Sequence, residues 1–269
     1  MSRIVQFFIA GVQKGGTSSL YRYLRDHPAI QMPAKKELHF FDNEAISWAA
    51  PDYEQLHQHY DWNCPQPVMR GEATPITLYW PHALERLRDY NPDAHILISL
   101  RHPSFRAFSQ WSMQRMRGIE ELSFEEAISQ RGRARSNQSS DGTERRVFSY
   151  VERGFYADQI SRLLDLFPRQ QIHFFRSDRL WSDPKVTLNS IQDFLGVERL
   201  LKFDHHYVIQ RRAPKSDSIS IAARASLDAC FRENIQITAA LTGQDLSDWL
   251  APAYDEPMTN SQAEAASRR

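Results

Sequence analysis

The stretch FFIAGVQKGGTSSLYRYL, residues 7–24, constrains this chain more than any other. An apolar run from Phe7 to Ala10 leads into a glycine-rich turn, and a helix-like segment opens near Thr17. Strand, turn and helix N-terminus in that order point several backbone N–H groups at one spot, where the helix dipole adds positive potential. Such a turn is an anion cradle. Gly15 and Gly16 permit close backbone approach, while Thr17, Ser18 and Ser19 add hydroxyl donors. The common phosphate-binding loop reads G-x-x-x-x-G-K-[ST]. Gly11 and Gly16 keep its glycine spacing, but Thr17 stands at the lysine position and Lys14 comes three residues earlier. A turn that merely starts a helix is the plainer alternative; strand, spacing, lysine and hydroxyls together favour phosphate.

The rest of the chain alternates short apolar strands with helical patterns. Strands are expected at 4–10, 29–33, 67–75, 95–100 and 172–175. Helices are expected from Thr17 to about Asp26, and at 82–90, 103–117, 123–130, 155–167, 185–195 (closed by Gly196) and 219–241. This alternation predicts an α/β fold, a P-loop-like parallel β-sheet flanked by helices on both faces. Ligands then sit beyond the carboxyl ends of the strands. With no internal repeat and no second core pattern, residues 1–250 read as a single domain. Two segments depart from the pattern: RGRARSNQSSDGTERR, 131–146, reads as a flexible arginine-rich loop, and 251–269 as a disordered tail.

Composition narrows the function classes. Lys plus Arg and Asp plus Glu both number 33, so the net charge is zero and no global field points to nucleic acid or membrane. Any anion site must be local. Two distant cysteines, Cys64 and Cys230, suit neither a zinc site nor a disulfide framework, and a cytoplasmic setting is expected. The opening residues run into the first strand without a signal-peptide or membrane-spanning pattern.

A second strand end refines the chemistry. A nucleoside triphosphatase usually carries an acidic residue there to organise Mg²⁺. HILISL instead ends in Arg101-His102-Pro103 and a helix bearing Ser109. Arginine at that point would bind a second anion and repel a metal, unless it simply pairs with a surface carboxylate. Two anion sites at two strand ends suggest a nucleotide phosphorylated on both sides of its ribose.

GVQKGGTSSL, KKELHFF and RHPSFRAFSQW, in that order, resemble the sulfotransferases that use 3′-phosphoadenosine 5′-phosphosulfate (PAPS), above all the heparan sulfate 3-O- and N-sulfotransferases and their bacterial relatives. The resemblance implies that Lys14, Gly15, Gly16, Thr17, Ser18 and Ser19 hold the 5′-phosphosulfate, and that Arg101 and Ser109 hold the 3′-phosphate. RGFYADQISRLL is similar to the family segment in which Tyr156 lies near the nucleotide. RRAPKS falls where a basic loop closes over the cofactor, which implicates Arg212 and Lys215, although that loop's usual glycine is missing. No metal is implied. A sulfuryl group carries less charge than a γ-phosphoryl group, and the charge that develops on the departing 5′-phosphate oxygen can be met by Lys14 and the helix N-terminus.

The acceptor needs a base. Glu37 and His39 are two residues apart, so on an extended segment both emerge on one face, with Phe40 and Phe41 as pocket walls. On spacing alone, a surface glutamate paired with Lys35 or Lys36 and a packing histidine explain these residues equally well. The resemblance implies Glu37 as general base, with His39 assisting it or orienting the acceptor. GEATP matches the family segment EKTP, so Glu72 and Thr74 line the cleft, but Ala73 replaces a lysine that would contact an anionic polysaccharide. The expected acceptor is therefore a hydroxyl or amine of a carbohydrate or small natural product. A P-loop kinase or NTPase with an altered loop, and a non-catalytic nucleotide-binding protein, remain open as other classes.

Overall fold

The computed structural model describes residues 3–64, 68–139, 142–200 and 218–257. These fall into two compact units. One comprises the described residues up to Leu100, those from Arg162 to 200, and 256–257; the other comprises Arg101–Ser161 and 218–255.

The strands are β1 (Phe7–Gly11), β2 (Ile30–Gln31), β3 (Met69–Glu72), β4 (His95–Leu100) and β5 (Ile172–Arg176). The helices are α1 (Thr17–Arg25), α2 (Glu54–His57), α3 (Ala83–Tyr90), α4 (Pro103–Met116), α5 (Phe124–Ile128) and α6 (Gln130–Ala134), then α7 (Thr143–Phe148), α8 (Tyr156–Leu166), α9 (Ser177–Ser182), α10 (Pro184–Leu195) and α11 (Ile221–Thr242).

In the first unit all five strands run parallel, in the order β2-β3-β1-β4-β5. Parallel strands covered on both faces read as continuous apolar runs, and in β4 every residue from Ile96 to Leu100 is buried. Neighbouring strand residues point to opposite faces. Phe7 and Ile9 therefore share a core with Leu20 and Leu24 of α1 and with Leu188 and Ile191 of α10. Phe8 turns the other way, with its ring 5.6 Å from Phe41 and 6.4 Å from Tyr90 of α3. Helices thus flank both faces, as the alternation predicts. Gly71 of β3 is required by this packing, because a Cβ there would stand 2.0 Å from the Phe7 ring.

The chain leaves β1 toward β3 and β2 on one side, then continues through β4 to β5 on the other. That reversal opens a crevice beyond the carboxyl ends of β1 and β4. The glycine-rich loop occupies the end of β1.

Local signals set several helix ends. Pro184 opens α10 behind Asp183, whose side chain accepts from Val186 N, and Gly196 closes it at φ 68°. In the second unit, Pro103 opens α4 and Ser123 with Glu126 forms a capping box on α5. There Ser104 Oγ of α4 donates to Asp228 of α11 at 2.6 Å. Among the described residues no helix is long and apolar enough to cross a membrane.

The arginine-rich segment, expected as a flexible loop, carries helical structure in its described residues, in α6, a 3₁₀ turn at Arg135–Asn137, and α7. Two of its arginines are paired. Arg135 pairs with the buried Glu120 at 2.7 Å, and Arg133 with Glu152 at 2.8 Å. Composition alone made the segment look solvated because it shows charges without their partners. Of the expected disordered tail, 258–269 lies outside the described residues.

Candidate active site

The loop after β1 is tied to its neighbouring strand. Val12 N donates to Ser99 O at 3.0 Å, and Gly15 N donates to Val12 O at 2.9 Å. The Ser99 hydroxyl donates to Gly15 O at 2.5 Å. A Cβ on Gly15 would lie 2.7 Å from Ser99 O, and one on Gly16 would lie 2.9 Å from Trp181 Nε1 of α9. Lys14 and Gly16 both adopt left-handed backbone, with φ of 70° and 77°. Gly16 is the N-cap of α1, and it brings no side-chain hydrogen bond to the helix end. An end without a side-chain cap leaves N–H groups directed outward. Thr17 and Ser19 are buried at 4% and 3% exposure, whereas Ser18 faces solvent.

The second cluster lies in the same unit. Three successive N–H groups of the 37–39 segment bond to the exit of β3. Glu37 N donates to Ala73 O at 3.1 Å, Leu38 N to Glu72 Oε1 at 3.3 Å, and His39 N to Thr74 Oγ1 at 3.3 Å. Thr74 Oγ1 in turn donates to Glu72 Oε1 at 2.6 Å. Glu37 and His39 have φ of 63° and 56°. The segment therefore passes through left-handed backbone at these two positions, unlike the extended run that the spacing suggested. The segment still unites them, with His39 Nε2 3.7 Å from Glu37 Oε2. Lys36 Nζ lies 2.5 Å from Glu37 Oε1, so the pairing foreseen with a neighbouring lysine coexists with the histidine contact.

Asp42 completes the array and was not singled out from the sequence. Its carboxylate is fully buried and lies 2.8 Å from His39 Nδ1. The only signal was its place three residues after His39, which carries no meaning until the backbone path is known. Phe41, expected as a pocket wall, is 2% exposed and packs among Phe8, Phe40, Trp48 and Tyr90. It is a core residue and not a pocket wall. Glu72 and Thr74, expected to line the cleft, are 3% and 2% exposed, and their polar atoms bond to the 37–39 segment instead.

Burial would raise the Glu37 carboxyl, but hydrogen bonds from His39 and Lys36 outweigh it and lower the value to about 2. The hydrogen bonds to Asp42 and then to Glu37 raise His39 to about 9. Their side chains are 36% and 45% exposed, so solvent screens these interactions and the directions matter more than the sizes. At neutral pH Glu37 is then a carboxylate and His39 an imidazolium. Glu72 differs: burial pushes it up to about 7 despite hydrogen bonds from Thr74 and Leu38. Among the described residues, no group of three or more His, Cys, Asp or Glu is arranged to hold a metal ion.

The second unit carries the other residues picked out from the sequence. Arg101 and Ser109 are half-buried at the start of α4 and two turns along it. Tyr156 is buried, and its hydroxyl donates to Arg101 O at 2.8 Å, which fixes the backbone that carries the arginine. His102 Nδ1 accepts from Ser104 N at 3.3 Å, and Nε2 faces Trp249 O at 3.1 Å. Burial, helped by Arg224, lowers this imidazole to about 4, so the ring is neutral with its proton on Nε2. Arg212 and Lys215 lie outside the described residues.

A parallel sheet in this order, with a glycine-rich lysine-bearing loop between β1 and α1, defines the P-loop-like class of anion-binding α/β proteins. Within that class the chain matches the profile of the Sulfotransferase domain family over residues 5–268, and it belongs to that family. It is 30% identical over 217 residues to heparan sulfate glucosamine 3-O-sulfotransferase 3B1 of Mus musculus, a match covering 78% of this chain and 50% of that protein. With heparan sulfate glucosamine 3-O-sulfotransferase 6 of Homo sapiens it is 30% identical over 211 residues, covering 76% and 56%. The chain spans about half the length of the curated relatives it matches. Among solved structures, a sulfotransferase from Alicyclobacillus acidocaldarius matches with a TM-score of 0.73 at 30% identity, covering 93% of this chain and all of that one. Mouse sulfotransferase SULT7A1 complexed with PAP, 12% identical with a TM-score of 0.54 over 93% and 91% of the two chains, shares the fold.

Proposed function

We propose that this chain transfers the sulfuryl group of PAPS to a hydroxyl or amine of a carbohydrate or small natural-product acceptor. The observation that carries the reading is the presence, in one unit, of the uncapped glycine loop and the Glu37–His39–Asp42 array. The loop fits a phosphosulfate on its own chemistry, because its glycines leave no room for side chains and its helix end presents N–H groups. PAPS, when bound, supplies the sulfuryl group and a phosphate leaving group for in-line transfer.

In this reading Lys14 and residues 15–19 hold the 5′-phosphosulfate, and Lys14 meets the charge that grows on the leaving oxygen. Arg101 and Ser109 hold the 3′-phosphate, Tyr156 steadies Arg101, and Arg212 and Lys215 contribute to binding the nucleotide. Glu37 accepts the acceptor's proton. A carboxylate this acidic is a weak base toward a free alcohol, so the proton moves late, once the bond to sulfur has made the acceptor oxygen acidic. His39, held by Asp42, orients Glu37. Residues 1–250 serve as one sulfotransferase domain in a cytoplasmic setting, acting without metal, nucleic acid or membrane.

The test is a metal-free calorimetric titration of adenosine 3′,5′-bisphosphate against ATP. Micromolar-range binding of the bisphosphate with little of ATP is expected. Preference for ATP, above all with Mg²⁺, would overturn the reading in favour of a kinase-like protein.

A further inference from the structure

We propose that Glu72 is a positioning residue whose buried carboxylate, relayed through the Thr74 hydroxyl, fixes the 37–39 segment, with its two left-handed residues, that brings Glu37 and His39 together. The proposal rests on the sulfotransferase reading only for the meaning of that segment. Its geometry stands by itself. One oxygen of Glu72 accepts from both Leu38 N and Thr74 Oγ1, at 3.3 and 2.6 Å. Thr74 passes the constraint on by accepting from His39 N at 3.3 Å. Glu72 therefore touches the peptide between Glu37 and His39 directly and the next peptide at one remove. At 3% exposure it has no open surface for an acceptor.

A carboxylate is a costly choice at such a site. The charged and titratable groups that face it are Asp42 and His39 from this stretch of chain and Tyr60 from beyond it. Asp42 raises its affinity for a proton and His39 lowers it, but burial dominates and brings the carboxyl to about 7. A glutamine would spare the protein that penalty while keeping an oxygen acceptor. What the charge adds is strength, since hydrogen bonds to an ionised acceptor are roughly twice as strong as neutral ones. Those bonds oppose the strain of two non-glycine residues at positive φ. Ionised Glu72 grips the segment; protonated Glu72 loosens it.

The experiment is an NMR titration of the whole chain across the neutral range, following the Leu38 amide and the His39 ring in wild type, Glu72→Gln and Glu72→Ala. In wild type the Leu38 amide should shift with an apparent pKa near 7, that of the group it bonds. Glu72→Gln should lose that step yet keep the His39 ring titrating well above its ordinary range. Glu72→Ala should release the segment and let His39 fall back toward the ordinary imidazole value. Persistence of the Leu38 step in Glu72→Gln, or an unchanged His39 titration in Glu72→Ala, overturns the proposal. If Glu72→Ala does not fold, Thr74→Val cuts the relay to His39 N and is read by the same fall, or its absence, in the His39 titration. Binding of adenosine 3′,5′-bisphosphate is measured on each folded variant and should match wild type. Failure of wild type itself to bind it would sink the sulfotransferase reading while leaving the NMR result to decide the positioning role.

Discussion

Lys14 occupies a backbone region that side chains other than glycine avoid, at φ 70°. Left-handed backbone disfavours an L-residue by roughly 1–2 kcal/mol, a cost that the proposed role of the Lys14 charge would offset. Two substitutions separate the effects. Lys14→Ala should reduce sulfuryl transfer by about 10²–10³, the usual loss when one donor to a developing oxyanion is removed. Lys14→Gly should lose as much activity yet gain roughly 1 kcal/mol in urea unfolding, because the strain goes with the side chain. Equal activity in Lys14→Ala and wild type would remove the lysine from the mechanism. For Glu37→Gln the expectation is intact bisphosphate affinity with turnover down by about 10²–10⁴, the contribution of a positioned base; a collapse in affinity would make Glu37 structural instead. The pairing of Glu37 with His39 was legible from their spacing of two within KKELHFF and from the family resemblance of that motif. The backbone that joins them was not, since positive φ at a glutamate and a histidine follows from hydrogen bonds to a strand more than thirty residues on.

Strands and long helices were legible from pattern alone: β4 falls on the expected residues, and α4 and α10 fall within a residue of theirs. Their apolar runs and proline or glycine ends act locally. The short helices α2 and α9 were missed, and so was the helical content of 131–148, because four to six residues cannot declare a period. Element packing makes a testable contrast between two glycines. A Cβ at Gly71 would strike the Phe7 ring at 2.0 Å from within a central strand, so Gly71→Ala should lower stability by roughly 1–3 kcal/mol through overpacking. A Cβ at Gly196 would meet nothing within 4 Å and would face only the penalty of a φ of 68°, so Gly196→Ala should lower stability by about 1 kcal/mol. Urea midpoints compared side by side would decide it. A Gly196→Ala loss as large as that of Gly71→Ala would mean that the β1–β3 contact tolerates repacking.

Stability of the whole molecule should carry the imprint of these buried groups as pH changes. His102 and His173 are lowered from 6.5 to about 4, chiefly by burial, so they favour folding above the unfolded value and withdraw that support as pH falls through 4. Glu37, lowered from 4.5 to about 2, acts in the same sense over the more acidic window. Glu72 acts oppositely. Its folded value of about 7 lies above 4.5, so its contribution is complete below 4.5 and lost as pH rises through 7. His39, raised from 6.5 to about 9, is likewise stabilising below 6.5 and loses that effect through 9, by a screened amount because its ring is half-exposed. The two sets oppose each other and should leave a maximum between mildly acidic and neutral pH. Replacing Glu72 isolates one limb. Glu72→Gln has no proton to lose, so its stability relative to wild type should rise steadily with pH from 4.5 to 7, by at most roughly 3 kcal/mol from a shift of that size. Urea unfolding of both proteins at a series of pH values measures the difference directly. A flat difference would mean that Glu72 titrates normally and that burial does not strain it. A rising one would show that ionised Glu72 costs the fold stability at neutral pH, as expected of a charged anchor buried beneath Glu37 and His39.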